Sequence, residues 1–131
     1  QVNSRGRRFH DETLGYSEAA LQVLAQPGGI AWNVFDTRLR ALARGFPGFV
    51  EAAAAGAVRE ARDADALAAC IGCDAATLAD TLAGTRLEPP YFAVRVTGAL
   101  FHTQGGLDVD AHARVLRESG APLPNLLGRH P

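Results

Sequence analysis

Apolar and polar positions change period several times along the chain, and each change predicts an element. Residues 1–12 are polar and Arg-rich, with a turn at Gly6. Ser17 can cap a helix reaching Gln26, with Leu21, Leu24 and Ala25 on one face. Gln26-Pro27-Gly28-Gly29 stops it, since Pro and paired Gly break a helix. Ile30 to Phe35 reads as a buried strand of good strand formers. Asp36 or Thr37 then caps a helix whose apolar stripe is Leu39, Leu42 and Ala43, with Gly45 at its end. Phe46-Pro47-Gly48-Phe49 turns into an Ala-rich helical turn closed by Gly56, and Ala57 to Ala61 reads as a short edge strand.

Two short helices follow in tandem. Asp63 caps the first, whose stripe Ala64, Leu67, Ala68, Ile71 keeps helical spacing and ends at Gly72. Asp74 caps the second, with stripe Ala75, Leu78, Ala79, Leu82 and terminal Gly84. From Pro89 the pattern alternates, placing Phe92, Val94 and Val96 on one side of a strand that Leu100 to Thr103 continues. Gln104-Gly105-Gly106 breaks it. Leu107 to Val109 and Arg114 to Leu116 read as hairpin arms around residues 110–113, and Ser119-Gly120 with Pro122 and Pro124 reads as another turn. Helices first and strands later predict an α+β fold. Two parts are expected, 1–88 with the helices and 89–131 with the strand and hairpin.

Composition narrows the class. The 131 residues are 47% apolar and 21% charged, with net charge −1, a globular balance without a basic surplus for nucleic acid or an anionic membrane. No apolar run reaches the ~20 residues of a membrane-spanning helix. No signal peptide is read at the start, so a cytoplasmic protein is expected. All thirteen cationic residues are Arg, and Ala is abundant, as in GC-rich bacterial genomes. The chain has no Met, which suggests a fragment or a processed product.

The reactive residues give few complete constellations. Cys70-Ile71-Gly72-Cys73 has redox spacing, but Cys70 ends a helix, where the dipole disfavours a thiolate, and no second pair completes a zinc site. Both thiols are expected to be small apolar fillers. His10-Asp11-Glu12 alternate in direction on an extended chain and do not converge on a metal. No metal site is expected. No G-x-G-x-x-G, P-loop or nucleophile elbow is present. The segment Phe101-His102-Thr103-Gln104-Gly105-Gly106 sets an imidazole, a hydroxyl and a carboxamide beside a Gly pair that lets a backbone approach a ligand closely.

Read together, two stretches resemble one family. Gly6-Arg7-Arg8-Phe9-His10-Asp11-Glu12 is similar to the "GxRFxxE" segment of flavoproteins of the fumarate reductase, succinate dehydrogenase and 3-ketosteroid dehydrogenase superfamily. Pro89 to Val96 followed by His102-Thr103-Gln104-Gly105-Gly106-Leu107 resembles its "PPYYAxxV…HTxGGL" segment. Residues 110–116 and 122–126 fit the hairpin and turn that follow there.

The resemblance implies an FAD-dependent enzyme that forms or reduces a C–C double bond next to a carbonyl or carboxylate. In that family the cofactor carries the redox step and a protein group exchanges a proton at the neighbouring carbon. The fumarate-reducing branch has its catalytic Arg four residues after the Glu; here that place holds Tyr16, as the ketosteroid branch has a catalytic Tyr. Tyr16 is therefore the catalytic candidate. His102 is the substrate-binding candidate, one place after Phe101, which occupies the position of the branch's substrate-binding His. Thr103, Gly105 and Gly106 are the cofactor-side candidates.

The Gly-rich loop that holds FAD in the family has no counterpart in these residues, so FAD binding and catalysis are expected of a larger parent and not of this chain alone. Residues 1–88 correspond to the later part of a substrate cap, and 89–131 to a return into the FAD-binding domain. The expected partners are the missing flavin-domain segments or a second copy of the chain, covering an apolar open edge at residues 91–106, and in the parent a small-molecule substrate. The alternative is a non-catalytic stand-alone remnant or interaction module.

Overall fold

The computed structural model describes residues 1–13, 15–99 and 106–128, with Tyr16 described by its backbone. They fall into two compact units, Gln1–Ala99 and Leu100–Pro131.

The first unit is an antiparallel four-stranded sheet with helices. Strand β1 is Val2–Asn3, β2 Ile30–Asp36, β3 Val58–Ala61 and β4 Tyr91–Thr97. The order across the sheet is β1-β2-β4-β3. Strands β2 and β4 pair along their whole length, from Ile30↔Thr97 to Asp36↔Tyr91, and β3 takes the other edge of β4 from Val58↔Val94 to Ala61↔Tyr91. Of the edge expected open over 91–106, Tyr91 to Val94 are therefore paired on both sides, Arg95 to Thr97 pair with β2 alone, and residues 100–105 lie outside the described residues. The apolar first half of β4, Tyr91 to Val94, lies in the middle of the sheet, where both ladders are satisfied. The pairing also means that the strand opening the segment 89–131 is built into the sheet of the first unit.

Helices α4 (Ala64–Ile71) and α5 (Ala75–Ala83) close one face of the sheet. Leu67, Ala68, Leu78 and Leu82 form one buried cluster with Trp32, Ala61, Tyr91 and Ala93. Both helices begin as their sequences predict: Asp63 accepts the N–H of Ala66 and Asp74 that of Thr77, both at 2.8 Å. α4 ends at Gly72, with φ 82°.

The opposite face carries Ala31, Asn33, Phe35, Phe92, Val94 and Val96, since antiparallel partners share a face. Helices α1 (Tyr16–Leu24), α2 (Thr37–Ala43) and α3 (Pro47–Ala54) accompany these strands. α1 comes so close to the chain after β4 that a Cβ on Gly98 would lie 2.6 Å from the Ala20 carbonyl oxygen, so only Gly fits there.

Two expectations for these helices fail. Gly15, extended at φ −58° and ψ 153°, takes the N-cap position of α1, so Ser17 lies inside the helix. In α2 the stripe does not bury Leu42, which is 66% exposed. Instead the Arg40 guanidinium carbon sits 4.3 Å above the centre of the Phe92 ring, which stacks in turn on Phe35. A long cationic side chain covers apolar surface with its stem while its head stays wet, so it can replace Leu here.

Helices and strands alternate along the first unit, so the fold is α+β without the predicted division into helices first and strands later. In the second unit, Val109 bridges Val115, and β5 (Arg114–Leu116) pairs with β6 (Pro122–Leu127). The expected turn is confined to residues 117–121, where Gly120 N–H donates to the Arg117 carbonyl at 2.8 Å. Pro122 and Pro124 belong to the strand. The register between Arg114 and Leu116 is irregular and Asn125 has φ 67°, a bulged outer strand of the kind that accepts Pro.

Candidate functional site

The loop between β1 and α1 is held by its own side chains. Asn3 is buried, and its Oδ1 accepts the N–H groups of Arg5 and Arg7 while its Nδ2 donates to Gln26. Gly6, at φ 75°, faces α5: a Cβ there would meet the Cys73 sulfur at 3.0 Å, and Thr81 Oγ1 donates to the Gly6 carbonyl at 2.8 Å. The Gly of the first motif thus anchors the loop to the helical layer.

Beyond it, Arg8 Nε donates to Glu12 Oε1 at 3.0 Å, and a second Arg8 nitrogen pairs with Glu12 Oε2. Burial alone would raise the Glu12 carboxyl; the Arg8 hydrogen bonds oppose this and lower it. Asp11 accepts both the N–H and the hydroxyl of Thr13, and these bonds keep its carboxyl below the usual range. His10 Nε2 meets the Gln1 amide oxygen at 2.8 Å. Each member of the His10-Asp11-Glu12 run has its own partner, and among the described residues no group of three could hold a metal ion.

Tyr16 is the first residue of α1. Gly15, immediately before it, lines a cavity of about 560 Å³ together with His10, Glu12, Ala19, Asn33 and Phe35. Asn33 is a residue that sequence reasoning missed. Its only signal was a carboxamide inside the apolar run Ile30 to Phe35. His102, Thr103 and Gly105 lie outside the described residues. Gly106 is exposed in the second unit, with nothing within 4 Å of where a Cβ would stand.

Cys70 and Cys73 are free, half-buried and packed against the main cluster. Burial, and then the neighbouring Asp74 carboxylate, push the Cys73 thiol up, opposite to what redox chemistry needs.

The described residues do not fit the diphosphate of a dinucleotide. Such a group needs a helix N-terminus with free N–H donors. Asp36, Asp63 and Asp74 already fill the starts of α2, α4 and α5 with carboxylates, α1 carries Glu18 in its first turn, and α3 opens on Pro47.

Comparison with known proteins supplies the wider frame. Residues 1–127 match the FAD binding domain family, and the chain belongs to it. It is 27% identical over 147 residues to a fumarate reductase (cytochrome) of Shewanella frigidimarina, covering 97% of this chain and 25% of that protein. Among solved structures, it superposes on the open conformation of a flavocytochrome c3 fumarate reductase with TM-score 0.72 and 27% identity, over 96% of this chain and 25% of the other. The 3-ketosteroid delta1-dehydrogenase of Sterolibacterium denitrificans, in complex with 1,4-androstadiene-3,17-dione, gives TM-score 0.67 and 26% identity, over 96% and 31%. These matches place the chain in the flavoprotein superfamily that its motifs resemble, whose cofactor is FAD. The chain spans about a quarter of the length of the curated relatives it matches. No helix among the described residues is long and apolar enough to cross a membrane.

Proposed function

We propose that the chain is part of an FAD-dependent oxidoreductase that forms or reduces a C–C double bond next to a carbonyl or carboxylate, with the first unit serving in the substrate cap. What supports this reading is that Tyr16 opens α1 directly after Gly15, a residue that lines the cavity with Glu12 and Asn33. A phenol ionises near pH 10 when unperturbed. In this role the Tyr16 oxygen takes a proton from, or returns it to, the carbon next to the activating carbonyl.

The diphosphate site, which the described residues do not form, belongs in this reading to other parts of the parent protein. Leu21 and Leu24 on α1, with Leu42, Phe46 and Val50 around α2 and α3, are 49–69% exposed and offer those parts an apolar surface.

The test is Tyr16→Phe in the FAD-loaded parent. Flavin content and visible spectrum should be unchanged while turnover falls at least about 100-fold, the usual scale for losing a proton-transfer group. Turnover at the wild-type rate would remove Tyr16 from the reaction.

A further inference from the structure

We propose that Gly98 is a positioning residue for Tyr16: having no side chain, it lets α1 seat against the chain leaving β4 and so fixes where the first turn of that helix stands. The inference rests on the function proposed above and adds a residue to the machinery of that same site. Tyr16, Ala20, Val23 and Leu24 follow one another at helical spacing and mark one stripe of α1. Ala20 and Leu24 carry the contact. A Cβ on Gly98 would lie 2.5 Å from Leu24 Cγ and 2.6 Å from the Ala20 carbonyl oxygen. The first could swing away with its side chain. The second is helix backbone, and only a shift of α1 itself would make room.

α1 has few other holds. Gly15, its N-cap, makes no side-chain hydrogen bond to the first turn. Among the described side chains of α1 only Val23 is buried, and Leu21 and Leu24 are more than half exposed. Just beyond the helix, the Thr97 hydroxyl donates to the Gly29 carbonyl at 2.8 Å, and Thr97 pairs with Ile30. The far end of α1 is thus tied to β4, so a displacement forced at Ala20 is passed to the turn that Tyr16 opens. That turn starts four residues, about 6 Å, from Ala20. Proton transfer needs the donor within hydrogen-bond reach, so a shift of about 1 Å there is felt strongly.

The experiment compares Gly98→Ala in the FAD-loaded parent with and without Tyr16→Phe. With the phenol present, turnover should fall at least about tenfold at unchanged flavin content. In the Tyr16→Phe background the same substitution should slow turnover less than about twofold, because no proton-transfer group is left to misplace. A purely structural role would slow both equally. Leu24→Ala, at a half-exposed side chain, loosens the seat without a clash; it is read in the same pair of backgrounds if Gly98→Ala does not fold, with the same one-sided loss expected. A second readout needs no turnover. The chain has two tyrosines, so with 3-fluorotyrosine in their place fluorine NMR gives one signal for each. Gly98→Ala should move the Tyr16 signal and leave that of Tyr91, buried at the other end of β4, in place. Equal losses in both backgrounds, full turnover by the seat variants, or an unmoved Tyr16 signal would each overturn the proposal while leaving Tyr16 in the reaction. Full turnover by Tyr16→Phe itself would remove the parent reading, and this inference with it.

Discussion

Asp36 shows how one residue serves two elements. It ends β2 opposite Tyr91, is 5% exposed, and its Oδ1 accepts the Leu39 N–H at 2.9 Å to start α2. Asp36→Ala should cost about 0.5–2 kcal/mol of stability through the lost cap, measured as a lower urea midpoint with unchanged slope. An unchanged midpoint would show that water replaces the cap. Much at this scale was readable in advance. The three Asp caps follow from side chains that bond their own next turn, and the packing role of the cysteines follows from a thiol at a helix end. Asn33 was not readable, because whether an amide in an apolar run is satisfied depends on what the other strands and helices bring beside it.

Among the elements, α4 and α5 match their predicted boundaries closely, because cap, stripe and terminal Gly all act within one or two turns. Their stripes also decide stability. Leu67 is fully buried between α4 and the sheet, and the two helices pack on each other. Leu67→Ala should therefore lower unfolding free energy by about 2–5 kcal/mol, seen as a drop in melting temperature with the far-ultraviolet spectrum intact below it. A loss under 1 kcal/mol would mean that this core collapses around the gap. The stripe of α2 misleads for the complementary reason. Its periodicity is genuine, but the ring it meets is Phe92, already covered by Arg40, so Leu42 is left outside. In β6 the prolines suggest a turn from composition alone, whereas pairing with β5 makes them strand residues.

For the whole molecule, charge pairing sets the response to acid. The Arg114 and backbone hydrogen bonds hold Asp110 at about 2, Arg8 lowers Glu12, and backbone N–H groups lower Asp63 and Asp74. Folded values below the ordinary ones mean that this stabilisation is complete above about pH 4–5 and drains as pH falls toward 2. The urea midpoint should accordingly drop between about pH 5 and 2. A flat profile across that window would show that the same pairs persist in the unfolded chain.

Local rules were enough to establish the helices, most strand positions and the α+β class, because capping, periodicity and turn chemistry act over a few residues. Long-range pairing decided the rest. It put β4 between β2 and β3 instead of at an open edge, and brought Val2 and Asn3 beside Trp32 and Ala31. It also gathered Glu12, Gly15 and Asn33 around one cavity. Such contacts join residues far apart in the chain, and their energy depends on which surfaces meet, which no short window of sequence contains.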